Sequence, residues 1–101
     1  MTQARPVEFS LSAESDLQRV FDHISAANSP AIAESYTERI VTYCRSLGNF
    51  PERGSLRNDI VPGMRVVGFE RRVTIAFTVT PAAVVIQGVF YGGRDLGSLG
   101  G

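Results

Sequence analysis

The sequence predicts an α+β domain of order β-α-α-β-β-β, a helix hairpin packed on a small, mostly antiparallel sheet. Three observations lead there. Apolar residues recur at helical spacing through the first half of the chain and alternate at strand spacing through the second. A proline-containing break divides the helical half in two, and turn residues divide the alternating half into strands. The chain has 101 residues, 44% of them hydrophobic, which fits one core and one domain, 1–101.

Val7 to Ser10 reads as a short first strand. Ser12 can then cap a helix, with Glu14 and Asp16 in the first turn where the positive end of the helix dipole favours carboxylates. Leu17, Val20, Phe21 and Ile24 follow at i, i+3, i+4 and i+7, an apolar stripe on a polar helix that runs to about Ala27. Asn28-Ser29-Pro30 ends it and starts the next, because Ser29 can cap and proline suits the first helical position. Ala33, Tyr36, Ile40, Cys44 and Leu47 carry the second stripe to Gly48-Asn49, read as a left-handed C-terminal stop. Pro51 to Gly63 reads as a loop, Met64 to Phe69 as a strand, and Glu70-Arg71 as a turn. From Arg72 to Thr80 the alternation puts Val73, Ile75, Phe77 and Val79 on one face, leaving the other wet. Pro81-Ala82 turns the chain into Ala83 to Tyr91, apolar at nearly every position and so read as covered on both sides. The glycine-rich end, 92–101, is expected to be a flexible tail.

Composition excludes several classes of function. Ten basic and ten acidic residues cancel, so no overall field holds phosphates, and direct nucleic-acid binding by the free protein is not expected. One cysteine, Cys44, cannot make an internal disulfide or frame a zinc site, and a small core hydrophobe in a reducing cytoplasm is the simplest reading. No apolar run approaches the roughly 18–20 residues of a membrane-spanning helix, so no membrane partner is expected. No metal site or cofactor site is readable; the lone His23, on a helix flank and away from the last strand, reads as a solvated side chain. The charge is divided along the chain: residues 1–52 hold four arginines against seven carboxylates, and residues 53–101 hold six against three. The two faces of the fold are therefore expected to differ in sign.

The phrase Asn49-Phe50-Pro51-Glu52-Arg53-Gly54, followed by Pro62-Gly63-Met64-Arg65 and closed by Val89-Phe90-Tyr91-Gly92-Gly93-Arg94-Asp95-Leu96, resembles the ParE branch of the RelE/ParE toxin superfamily. Members of that branch read Pro-x-x-Gly in the loop, Pro-Gly-x-Arg at the following strand, and His-Gly-x-Arg-Asp at the end of the last one. Tyr91 stands here where the family has His, while Val73 and Thr78 replace its usual aromatic and arginine. The resemblance implies a RelE/ParE-like fold and the toxin of a type II toxin–antitoxin (plasmid stabilisation) system. It further implies a cytoplasmic inhibitor of DNA gyrase that acts by binding and is neutralised in a hetero-oligomer with a ParD-like antitoxin. RelE-like relatives instead cut messenger RNA on the ribosome, which is the alternative activity.

Residues are assigned to these roles as follows. If the protein is a ribonuclease, Arg65 and Arg72 would clamp phosphate and Tyr91 would be the general acid; as a binder it needs no catalytic residue. Arg53, Arg57, Arg71, Arg72 and Arg94 are the candidates for target contact. Leu17, Phe21, Tyr36 and Arg65 are the candidates for the antitoxin, whose folding segment would lay apolar anchors beside the helix hairpin. Arg65 can also reach across the sheet to a carboxylate or a carbonyl and so fix the fold.

Overall fold

The structure, a computed structural model, describes residues 4–92. Its elements are β1 (Val7–Phe9), α1 (Leu11–Ala27), α2 (Pro30–Ser46), β2 (Ser55–Leu56), β3 (Met64–Phe69), β4 (Val73–Val79) and β5 (Val84–Tyr91). The strands form one sheet in the order β1-β5-β4-β3-β2, with β1 parallel to β5 and every other pair antiparallel. Both helices lie on one face of it, and their buried Ala13, Val20, Ile24, Ala33, Ile40, Cys44 and Leu47 meet Val73, Ile75, Phe77, Val84, Ile86 and Val89. The expected helix hairpin on a mostly antiparallel sheet is the architecture observed.

Three local expectations are corrected. Ser10, not Ser12, caps α1, its side chain accepting the Ala13 N–H at 3.0 Å; the strand ends one residue earlier than its β-rich run suggested, and the cap follows at once. Gly48 does not stop α2 by a left-handed turn, since the positive-φ glycines are Gly54, Gly63 and Gly92. Glycine is needed there for a different reason: a Cβ on Gly48 would collide with the Arg5 carbonyl oxygen, and the Arg5 N–H donates to the Gly48 carbonyl at 2.9 Å. The 51–63 loop also contains an extra strand, β2, which pairs Ser55 with Val66 and Leu56 with Arg65. Two residues carry no period, so alternation cannot reveal it. Gly54 enters this strand at φ 76, so close to the Val66 carbonyl that a side chain would collide with it. By contrast Ser29 caps α2 with Pro30 at its first position, as expected.

The second face of the sheet is not uniformly wet. Ala76 is buried there with Met64 and Phe90, covered by Val61 and Val66, because the 57–63 loop folds back across it. The face change comes from a bulge. Ala76 pairs with Gly88 but Phe77 pairs with Ile86, so Gln87 is the extra residue. Val84 and Ile86 point to the helices before the bulge, and Val89 does so after it.

Polar groups of β5 around the bulge are taken up by Ser10 and Asp16 at the start of α1. The Ser10 N–H donates to the Ile86 carbonyl at 3.0 Å and its hydroxyl to the Gln87 carbonyl at 3.3 Å. The Val89 N–H donates to Asp16 Oδ2 at 3.0 Å, while Asp16 Oδ1 accepts from Arg19. Asp16 is the one buried charged residue of the described core, 8% exposed. Asp16→Ala strands the Val89 N–H in the interior and is expected to cost about 2 kcal/mol, a fall of roughly 10 °C in the melting midpoint for a domain of this size. Asp16→Asn keeps an acceptor and is expected to lose less than half as much; equal losses in circular-dichroism melts would contradict the role given to that oxygen.

Candidate functional site

Three concavities on the surface of the described residues hold several of the residues singled out in the sequence. The first is a groove of about 620 Å³ between the helices. Leu17 and Phe21 of α1 and Val41 of α2 form its apolar floor, with Glu14 and Glu38 among its polar neighbours. Leu17 and Phe21 are half-buried because the buried stripe of α1 runs through Ala13, Asp16, Val20 and Ile24, one step around the helix.

Tyr36 is not part of that groove, which corrects the grouping expected from helical spacing. It turns toward the end of the sheet, where its ring lies 6.4 Å from Phe69 and edge-on to Tyr91 at 6.2 Å, with the Arg39 guanidinium 5.1 Å from its centre. Arg39 in turn holds Glu70 through two hydrogen bonds of 2.8 and 3.1 Å. The Tyr36 hydroxyl is enclosed and has no hydrogen-bond partner among the described residues. Burial, then the nearby Glu70 and Tyr91, raises its pKa above the ordinary phenol value, against the opposing pull of Arg39 and Arg72.

The second concavity, of about 530 Å³, is lined by His23 with Asp16, Arg19, Val89, Tyr91 and Gly92. Its ring centre is 5.2 Å from that of Tyr91, so the expectation that His23 lies away from the last strand is wrong. The bulge at Gln87 is the cause: it turns the end of β5 toward α1, and no sequence period announces it. Gly92, expected to begin a tail, is tied back by its N–H to the Arg72 carbonyl at 2.8 Å; the rest of that segment, with Arg94, lies outside the described residues.

The third concavity, about 690 Å³, sits at the opposite end of β3. It is lined by Arg5, Phe50, Arg53, Leu56, Arg65 and Val79 among others. Phe50 and Leu56 are 57% and 51% exposed. Arg65 donates from Nε to the Arg53 carbonyl at 3.1 Å and from Nη2 to the Glu52 carbonyl at 2.8 Å. Of the two ways it could fix the fold, it uses carbonyls. The Arg53 guanidinium covers the Phe50 and Tyr43 rings at 4.8 and 5.7 Å.

The candidate arginines therefore do not form one cluster. Arg53, Arg57 and Arg65 belong to the start of β3, while Arg71 and Arg72 sit on the exposed turn beyond its end. Arg57 is paired with Asp59 through bonds of 2.8 and 2.9 Å, which lowers the Asp59 pKa. Glu70 and Arg71 take left-handed φ values of 49° and 65°, a strained pair that only a tight turn requires. Arg65, Arg72 and Tyr91 do not converge either. Arg72 adjoins Tyr91 across the sheet, but Arg65 is four residues from the β3 end, about 13 Å along the strand. Among the described residues no group of three or more His, Cys, Asp or Glu could hold a metal ion, and no helix is long and apolar enough to cross a membrane.

Cys44 is fully buried in the helix-facing core, and burial pushes its thiol up to about 12. The folded state holds this acid protonated, so its contribution to stability is present at neutral pH and is lost as pH rises above the unfolded thiol value of about 8.5. A thiol reagent at neutral pH is expected to modify Cys44 only in denaturant; rapid labelling of the folded protein would contradict its burial. Tyr36→Phe removes a hydroxyl that bonds to nothing and is expected to leave the melting midpoint unchanged or raise it, by up to about 1 kcal/mol in stability. A clear loss would mean the hydroxyl has a partner in solution.

Comparison with known proteins supplies a family. The profile described as "ParE toxin of type II toxin-antitoxin system, parDE" matches residues 7–96. The solved structure titled "Chromosomal ParDE TA system from P. aeruginosa" superposes with a TM-score of 0.78 at 22% identity, covering 91% of this chain and all of that one. At that identity the likeness speaks for the fold alone. No curated protein matches the sequence.

Proposed function

The chain belongs to the ParE toxin family of type II toxin–antitoxin systems, and we propose that it works as a binder rather than an enzyme, inhibiting DNA gyrase by docking on it. In this reading a ParD-like antitoxin holds it inactive in a hetero-oligomer in the cytoplasm, and the chain acts as a single domain. The observation that carries the reading is the placement of Arg65. A phosphate clamp for RNA cleavage needs its cations around one phosphorus, and Arg65 is committed to the Glu52 and Arg53 carbonyls at the far end of β3 from Tyr91 and Arg72. Binding needs no such convergence. Its requirements are exposed anchors and shaped surface, and the groove over Leu17 and Phe21 together with the patch around Phe50 and Leu56 provides both.

Target contact is assigned to Arg53, Arg71, Arg72 and Arg94, with Arg57 at a disadvantage because its guanidinium is already engaged by Asp59. Antitoxin contact is assigned to Leu17 and Phe21 in the helix groove and to Arg65 at the sheet edge; Tyr36 serves the packing of the sheet end instead. One observation favours the second reading, a RelE-like cleavage of ribosome-bound messenger RNA: His23 stands against Tyr91, beside Arg72.

A single experiment separates the two. Purified protein is expected to abolish supercoiling by gyrase, to leave ribosome-bound messenger RNA intact, and to be neutralised by its antitoxin. Tyr91→Phe is expected to keep the gyrase effect, because a binder does not use the phenolic proton. Message cleavage that disappears in Tyr91→Phe, with gyrase unaffected, would replace this reading with the enzymatic one.

A further inference from the structure

The concavity at the start of β3 has the chemistry of a peptide-docking edge. Phe50 and Leu56 are two of the four large apolar side chains that stand more than half exposed among the described residues. Around them are Arg5, Arg53 and Arg65, with Glu52 the one carboxylate in the lining. None of the three arginines is in an ion pair among the described residues, whereas Arg19, Arg39 and Arg57 all are. Two of the three are nonetheless held in place. Arg53 lies over the Phe50 and Tyr43 rings, and Arg65 spends Nε and Nη2 on carbonyls, while its Nη1 makes no hydrogen bond among the described residues. Cations fixed in this way lose little freedom when they meet a carboxylate.

The backbone adds a second feature. β2 is the outermost strand of the sheet on this side. The Arg57 N–H points inward to the Met64 carbonyl at 2.6 Å, so in an antiparallel pair the N–H and C=O of Leu56 point outward. An uncovered strand edge beside an apolar patch is the arrangement to which extended peptides add.

We propose that this edge docks an extended, acidic segment of the antitoxin, which seats an apolar side chain between Phe50 and Leu56 and sets carboxylates against Arg5, Arg53 and Arg65. The inference rests on the toxin–antitoxin reading for its partner. Charge complementarity selects the segment: the groove between the helices is bordered by Glu14 and Glu38, so an acidic segment is repelled there and attracted here. The antitoxin thus meets two surfaces of opposite sign, one apolar and acid-bordered on the helices and one apolar and arginine-bordered on the sheet edge.

Fluorescence anisotropy with the full chain tests this, using two probes: the antitoxin, and a labelled peptide in which one leucine lies between runs of glutamate, with its glutamine counterpart as control. The glutamate peptide is expected to bind at low salt and weaken as salt is added, and the glutamine peptide not to bind. The double variant Arg5→Glu, Arg53→Glu is expected to weaken both the glutamate peptide and the antitoxin by about tenfold, and Leu56→Asp to weaken both as well. Arg71→Glu, at the far end of β3, is expected to change neither; melting curves confirm that each variant folds. Failure of the glutamate peptide to bind, antitoxin affinity unmoved by the double variant, or an equal effect from Arg71→Glu would each overturn the inference while leaving the toxin–antitoxin pairing in place. A wild-type chain that binds the glutamate peptide but no antitoxin would overturn the pairing and leave the docking edge.

Discussion

The carboxylate of Asp16 is the constraint on which the arrangement of the sheet end depends. It is buried on the inner side of α1 and accepts the Val89 N–H, which in the β4–β5 register points away from β4 and lies beyond Ile86, the last residue of β5 that β1 pairs. A buried N–H without an acceptor costs as much as a lost hydrogen bond, so β5 runs on past the end of β1 with the carboxylate in place of a neighbouring strand. Ser10 completes the joint, capping α1 with one side-chain bond while its own N–H and hydroxyl bind the carbonyls of Ile86 and Gln87. Helix start, sheet register and the direction of the last strand are therefore fixed by one cluster of polar contacts.

Two consequences follow for the surface. The phase change in β5 lets Val89 join Val84 and Ile86 in the helix-facing core and brings Tyr91 against His23 and Tyr36. An aromatic end to the sheet results, closed by the Arg39–Glu70 pair. At the other end the chain has the opposite character, because the N-terminal segment crosses over Gly48 and the loop after α2 returns as the edge strand β2. There Phe50 and Leu56 remain exposed, and Arg5, Arg53 and Arg65 have no carboxylate partner among the described residues. A partner meets packed aromatics at one end and an open, charged edge at the other.

What the sequence made legible follows from which features repeat. The two helices span 17 residues each, enough turns for the 3.6-residue period and the Ser29-Pro30 start to declare themselves. β4 is legible by alternation and β3 by the loop and turn residues on either side of it, while the position of Arg65 at the entry to a strand points to a reach toward a carboxylate or a carbonyl without choosing between them. Features that depend on a single residue were not. The bulge at Gln87, the two-residue strand at Ser55 and Leu56, and the approach of Arg5 to Gly48 leave no periodic trace, being set by contacts between segments far apart in the chain. For the same reason the helical stripe of α2 groups Tyr36 with Leu17, whereas its ring packs against Phe69 and Tyr91. Asp16 was visible as a first-turn acid, a role in helix capping electrostatics, whereas its actual partner lies 73 residues away.

A fold does not fix an activity, so function here turns on how the arginines are used. All ten basic residues are arginine, and the structure divides those it describes by partner. Arg19, Arg39 and Arg57 are neutralised by carboxylates within the chain. Arg53 and Arg65 are held by ring faces and by carbonyls, which fix a guanidinium without cancelling its charge. A lysine could not substitute, since its compact ammonium presents no plane to stack and no fork to span two carbonyls. Position is thus set by neutral partners and the charge stays available to an incoming carboxylate. Positioning and neutralisation are thereby separated at the sheet edge, where neutral partners hold the guanidinium groups of Arg53 and Arg65.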